Sequence, residues 1–183
     1  TLWAAGKLGN VGERLIAAGV PAGPSAVVER FHYISGLTRL RPIDFYAPGD
    51  NTGNRALTRY VLDCTRPSDR LLAGSFEPQI FFYAERPFAG GQVYLKDGWH
   101  ESPEDQRLTI ERLRRQRVPI VLINVATQPE VDGSFPLVSQ YVRENYQEVS
   151  RGNFGGRDEY AIYAKRDLVP RGTYPPLKLP CYR

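Results

Sequence analysis

"VPIVLINVA", residues 118–126, is the stretch that decides the predicted fold. It is continuously apolar and too short for a typical helix, so it predicts a central, parallel strand buried on both faces. A strong helix start precedes it, with Ser102 as N-cap, Pro103 at the first helical position and acidic residues in the first turn. The segment therefore belongs to an alternation of helices and strands.

The same alternation continues on both sides of this strand. The patterns of apolar residues and turn residues predict, in chain order, a helix at 57–64, a strand at 70–76, a helix at 77–86, a helix from Pro103 to about Arg117, the strand 118–126, a helix at 134–149 and a strand at 159–167. Strands that alternate with helices predict an α/β fold. We expect a three-layer sandwich with a mainly parallel central sheet.

Three segments follow from this pattern. Residues 53–168 form the α/β domain. Residues 1–52 are rich in glycine and proline and predict an irregular lead-in with one short helix near 25–37. Residues 169–183 are Pro-rich and predict an extended C-terminal tail. The chain begins with Thr1 and contains no methionine, and we interpret it as a piece of a longer protein.

Composition limits the classes of function. Apolar residues make up 42% of the chain and charged residues 24%, which are ordinary globular values. No apolar run approaches the roughly 18 residues of a membrane span. The net charge of +4 is modest, and no nucleic-acid-binding motif accompanies it. We therefore expect no nucleic-acid partner.

Cys64 and Cys181 are the two cysteines of the chain. Nothing around them has the spacing of metal ligands, so we expect no metal site. Cys64 lies on the apolar face of a predicted helix, where a buried, inert thiol is one interpretation. The other is a disulfide that joins the tail to the domain if the compartment is oxidising.

Polar residues near the ends of the predicted strands and helices are the candidate ligand-binding residues. In parallel α/β sheets, ligands bind at the carboxyl ends of the strands. This rule selects Ser75 and Glu77 after the first strand, Asn124 at the end of the central strand, and Arg86 beyond the helix between them. They form no recognisable nucleophile, acid/base pair or phosphate loop. We predict no catalytic residue and no cofactor.

The loop at 84–106 adds aromatic candidates. Tyr94 and Trp99 are suited to stacking on a sugar ring or lying against lipid headgroups. The alternative is that these side chains, with Phe88, close one end of the core.

The sequence also resembles a known domain. The resemblance rests on "LTRYVLDCTRPSDRLLAGSFEPQIFFYAERPFAGG" at 57–91, on "VPIVLINV", and on "FPLVSQYVRENYQEV" with its last strand. Residues 53–168 resemble the C-terminal extracytoplasmic domain of bacterial multi-spanning glycosyltransferases related to the dolichyl-phosphate-mannose protein mannosyltransferases. In such enzymes the donor is a polyprenyl-phosphate-linked sugar and the catalytic carboxylate lies in the membrane-embedded part. No residue of this chain matches that carboxylate.

The resemblance implies a non-catalytic domain on the extracytoplasmic face of a bacterial membrane. Its partners would be the membrane-embedded part of the same polypeptide and a lipid-linked sugar or glycan acceptor, which it would help to position. The alternative is a stand-alone soluble α/β protein that binds nucleotides or glycans.

Overall fold

The residues that the computed structural model describes are 23–45, 54–183, Glu13 and Ile16. The chain divides into two compact units, Thr1–Arg41 and Pro42–Arg183. The predicted boundary between residues 52 and 53 lies outside the described residues, but the larger unit already includes Ile43, whose side chain is buried in its core. Within the described part, no helix has the length and apolar character needed to cross a bilayer.

The smaller unit contains helix α1, Pro24–Leu37, close to the helix predicted at 25–37. Proline at the first helical position fits this start, because its missing N–H would have no helical partner there. None of the side chains of α1 is buried.

The larger unit is mixed α/β, as predicted. Its elements are a short 3-10 helix (Pro42–Phe45), α2 (Arg55–Cys64), β1 (Leu71–Ala73), α3 (Pro78–Ala84), α4 (Pro103–Arg115), β2 (Ile120–Asn124), α5 (Gln128–Ser134), α6 (Pro136–Asn145), β3 (Tyr146–Gly152), β4 (Tyr160–Lys165), β5 (Gly172–Tyr174) and β6 (Leu179–Cys181). The N-cap of α4 is Ser102, whose hydroxyl accepts a hydrogen bond from the Asp105 N–H as the sequence predicted.

The main sheet has the strand order β1-β2-β4-β3. β1 pairs with β2 in parallel, whereas β4 is antiparallel to both β2 and β3. The prediction of a mainly parallel sheet is therefore wrong, and the sheet is mixed. The cause is β3, whose first four residues, 146–149, fall in the helix that the sequence predicts at 134–149. β4 returns from β3 through a short connection, and such a connection makes neighbouring strands antiparallel.

The central strand β2 is buried on both faces. Ile120 and Leu122 pack in one cluster with side chains of α2 and α3. Val121 and Ile123 pack in a second cluster with side chains of α4 and α6. Because successive residues of a strand point to opposite sides, helices cover both faces of this strand. This explains its uninterrupted apolar sequence.

The C-terminal segment forms a hairpin instead of the predicted extended tail. β5 and β6 pair in antiparallel register. Leu179 and Tyr182 are buried in the core, and the Tyr60 hydroxyl donates to the carbonyl of Pro180 at 2.8 Å. Of the two interpretations of Cys64, the structure has the disulfide, which joins Cys64 of α2 to Cys181. Burial of apolar side chains holds this Pro-rich segment against the domain.

Candidate functional site

A cleft of about 300 Å³ opens at the carboxyl ends of β1 and β2. The residues that line it are Gly74, Ser75, Phe76, Tyr94, Leu95, Lys96, Thr127 and Glu130. Gly74 to Phe76 directly follow β1, and Thr127 follows β2. The cleft thus lies at the end of the sheet where the loops that follow parallel strands bind ligands.

An aromatic pair forms one wall of the cleft. The ring centroids of Phe76 and Tyr94 are 4.8 Å apart, and the ring planes are tilted by 58°. Phe76 keeps 60% of its surface exposed. An exposed aromatic ring beside polar groups is a surface on which the apolar face of a ligand ring can stack.

Ser75 lines the same cleft, but its hydroxyl is buried. Its residue is only 8% exposed. Its hydroxyl has no hydrogen-bond partner among the described residues. Buried polar groups are nearly always paired, so this hydroxyl is an exception among the described residues.

Two charged residues complete the cleft, Lys96 and Glu130. The Oε1 atom of Glu130 accepts a weak hydrogen bond of 3.4 Å from the Asp97 N–H. Ser134 donates its hydroxyl to Oδ1 of Asp97 at 2.8 Å, and this bond is the main cause that lowers the pKa of Asp97. The contacts attach the loop after Tyr94 to α5, which fixes the rim of the cleft.

The candidates Glu77 and Asn124 do not line the cleft. Glu77 is buried, and its carboxylate accepts hydrogen bonds from the Tyr160 hydroxyl at 2.5 Å and from Asn54 Nδ2 at 3.2 Å. Burial, and then Glu77, raises the pKa of Tyr160. Asn124 accepts a hydrogen bond from the Ala126 N–H at 3.0 Å, which shapes the turn after β2. Glu77 therefore fixes the start of α3, and Asn124 fixes the turn after β2.

Arg86 is buried and joins the carboxyl ends of two helices. At the end of α2, its guanidinium donates to the carbonyls of Leu62 and Thr65 at 2.9 and 2.8 Å. At the end of α3, it donates to those of Ala84 and Glu85 at 2.9 and 3.0 Å. A cation is favourable at helix C-termini. Arg86 therefore has a structural position away from the cleft.

The structure brings together two of the six candidates, Ser75 and Tyr94. Trp99 is 64% exposed and is not among the cleft residues. Phe88, the other aromatic of the loop, is also exposed, so neither closes the core.

Sequence reasoning missed Phe76, Lys96 and Glu130. The apolar pattern makes Phe76 the last residue of the predicted strand 70–76, although its place directly after Ser75 is a usable signal. Glu130 lies on α5, a short helix that no apolar periodicity marks. Among the described residues, no group of three or more His, Cys, Asp or Glu side chains could hold a metal ion.

Comparisons with protein-family models, with curated proteins and with solved structures gave no significant match to this chain.

Proposed function

We propose that residues 42–183 form a non-catalytic saccharide-binding domain whose ligand occupies the cleft between β1 and β2. The observation that carries this proposal is the Phe76–Tyr94 pair in the wall of the cleft, where the Phe76 ring is 60% exposed. A sugar ring has an apolar face for an aromatic ring and a rim of hydroxyls for polar groups. Lys96, Thr127 and Glu130 line the same cleft and can donate hydrogen bonds to such hydroxyls or accept them.

The cleft has the dimensions of a ligand site. Its volume of about 300 Å³ is at the lower end of the usual range for small-molecule pockets, roughly 300 to 1,000 Å³. One or two sugar rings suit this size. Polar groups around an aromatic wall fix the orientation of a ligand, so they favour the binding of a specific sugar over non-specific binding.

In the whole protein, this domain would position a sugar for a membrane-embedded glycosyltransferase. The resemblance of residues 53–168 to domains of that type supports this part of the proposal, with a polyprenyl-phosphate-linked sugar as donor. The Cys64–Cys181 disulfide supports an extracytoplasmic location, because disulfides persist in oxidising compartments. The domain would hold the acceptor or the donor sugar, and the membrane-embedded part of the same polypeptide would carry out the transfer.

The proposal is tested by calorimetric titration of the chain with cellobiose and N,N′-diacetylchitobiose. Phe76→Ala removes the exposed stacking ring, and we expect the affinity to fall by about fivefold or more, since an aromatic contact contributes roughly 1 kcal/mol in addition to burial. Phe82→Ala is the matched control. Phe82 is 65% exposed, close to the 60% of Phe76, but it does not line the cleft.

The affinity for the disaccharides should therefore fall in Phe76→Ala and stay unchanged in Phe82→Ala. The two variants should have equal thermal stability. No binding of either disaccharide, or an equal loss in both variants, would contradict saccharide binding in the cleft. Transfer of sugar from a polyprenyl-phosphate donor by this chain alone would contradict its non-catalytic role.

A further inference from the structure

A tight turn at residues 96–99 lies at the rim of the cleft. Lys96 lines the cleft, and its carbonyl accepts a hydrogen bond of 3.1 Å from the Trp99 N–H. Because this bond closes a β-turn, the Cα atoms of Lys96 and Trp99 lie within about 7 Å of each other. Trp99 is therefore one turn away from the cleft, although it does not line the cleft itself.

Polar contacts on both sides fix the backbone of this turn. Gly98 has a φ angle of 78°, which glycine adopts without the strain that a side chain would cause. The Gly98 N–H donates to Oε2 of Glu101 at 2.8 Å. The Asp97 carboxylate accepts from the Ser134 hydroxyl, and the Asp97 N–H donates to the cleft residue Glu130. The last residue of the turn therefore starts from a well-defined position beside the cleft.

The side chain of Trp99 is exposed to an unusual extent. Trp99 is 64% exposed, although tryptophan is highly buried on average in folded proteins. Its indole has no hydrogen bond or aromatic contact with any of the described residues. A tryptophan on a fixed backbone offers a large contact area at a low cost in conformational entropy. Its aromatic face can stack on a sugar ring as the Phe76 ring can.

We propose that Trp99 binds a further ring of the saccharide whose first rings occupy the cleft, so that the ligand is a glycan chain of three or more sugars. This proposal rests on the proposed saccharide-binding function and adds the length of the ligand. The cleft, with a volume of about 300 Å³, suits one or two rings, and a longer chain that leaves it along the rim reaches the turn at 96–99. A site of this length favours a glycan acceptor over a single lipid-linked sugar.

Calorimetric titration of the full chain with saccharides of two lengths tests the proposal. Cellobiose is compared with cellotetraose, and N,N′-diacetylchitobiose with the tetrasaccharide of the same series. Beyond the statistical factor from its larger number of sugars, the tetrasaccharide should bind about fivefold or more tightly, because it gains one more aromatic contact. Trp99→Ala should remove this gain, whereas Trp99→Tyr should keep part of it. Since Trp99 is exposed, both variants should be as stable as the wild type.

Phe88→Ala is the matched control. Phe88 belongs to the same loop at 84–106 and is also exposed, at 40%. Its backbone pairs with Leu71 at the start of β1, whereas the cleft follows the end of β1. Phe88→Ala should therefore keep the full gain with chain length. Phe76→Ala should weaken the binding of both lengths, so that damage to the cleft and loss of the extension give different results.

Tryptophan fluorescence reports on the same contact by another route. The chain has two tryptophans, Trp3 and Trp99, so Trp3→Phe leaves Trp99 as the sole indole. The tetrasaccharide should shift the emission of this variant to shorter wavelength, because a stacked sugar ring removes water from the indole. The disaccharide should leave the emission nearly unchanged.

The possible results separate the two proposals. Equal affinity of the wild-type protein for the two lengths, with Phe76→Ala weakening both, would overturn the extended site and keep the saccharide-binding cleft. A gain that survives in full in Trp99→Ala, or tetrasaccharide binding that leaves the Trp99 emission unchanged, would also overturn the extended site. Binding of none of these saccharides would overturn both proposals.

Discussion

The hydroxyl of Tyr160 donates a 2.5 Å hydrogen bond to Oε1 of Glu77, joining the first residue of β4 to the residue before α3. Asn54, at the start of α2, donates to the Tyr160 hydroxyl at 3.0 Å and to the Glu77 carboxylate at 3.2 Å. All three side chains are buried. The network therefore holds two helices and a strand together near the carboxyl ends of β1 and β2.

Tyr160→Phe removes one donor from this network. We expect the free energy of unfolding to fall by about 1 to 3 kcal/mol, because the buried Glu77 carboxylate loses a strong hydrogen bond. Tyr163→Phe, on the same strand, is the control. The Tyr163 hydroxyl has a 3.5 Å contact from Gln128 and a hydrogen bond with Glu148, and the residue is partly exposed, so water can replace these partners. Urea denaturation of both variants tests this, and equal losses would contradict the role of the network.

Alkaline pH should destabilise the fold. Burial is the largest cause that raises the pKa of Tyr60, Tyr146 and Tyr160. An unfolded tyrosine has a pKa of about 10, so the folded chain keeps these phenols protonated at a pH where the unfolded chain ionises them. Their contribution to stability is complete below about pH 10 and is lost as the pH rises above it. Urea midpoints at about pH 8 and about pH 11 should differ accordingly. Equal midpoints at the two pH values would contradict the coupling between tyrosine ionisation and unfolding.

Reduction of the Cys64–Cys181 bridge should weaken the fold. The two cysteines are 117 residues apart, and the chain-entropy account gives about 4 to 5 kcal/mol for so long a loop. The Cys64→Ala/Cys181→Ala double variant should match the reduced wild-type protein in urea denaturation and should not respond to a reductant. Unchanged midpoints on reduction would show that the contacts of Leu179 and Tyr182 alone hold the hairpin.

The fold class could be predicted from the sequence because β2 is buried on both faces and its residues are uniformly apolar. β3 could not, since the apolar stripe of α6 continues to Tyr146, which ends the helix and begins the strand. The chain changes from helix to strand at Tyr146 because β3 pairs with β4. Pairing with a later segment produces no pattern in the local sequence. The mistaken helix also hid the hairpin that makes the sheet mixed.

Part of the site could be predicted in the same way. The strand-end rule located Ser75, and the aromatic content of the loop located Tyr94. Glu77 and Arg86 satisfied the same rules but are buried against partners that are distant in sequence, Tyr160 and the carbonyls after α2. Side-chain partners of this kind are set by tertiary packing, which local sequence patterns do not encode.

Ser75→Ala should leave the protein at least as stable as the wild type. It removes a buried hydroxyl that has no partner among the described residues, so the free energy of unfolding should stay equal or rise by up to about 1 kcal/mol. Ser102→Ala is the control, because the loss of this helix cap should cost about 1 kcal/mol. Thermal unfolding measures the stability of the two variants. A clear loss of stability in Ser75→Ala would indicate a structural role for its hydroxyl.

The most direct test of the saccharide-binding cleft is an amide NMR titration of the isotope-labelled chain with N,N′-diacetylchitobiose. The account predicts saturable shifts centred on Gly74, Ser75, Phe76, Tyr94 and Lys96. Shifts that are absent at the highest soluble concentration, or that centre on residues outside the cleft, would contradict it.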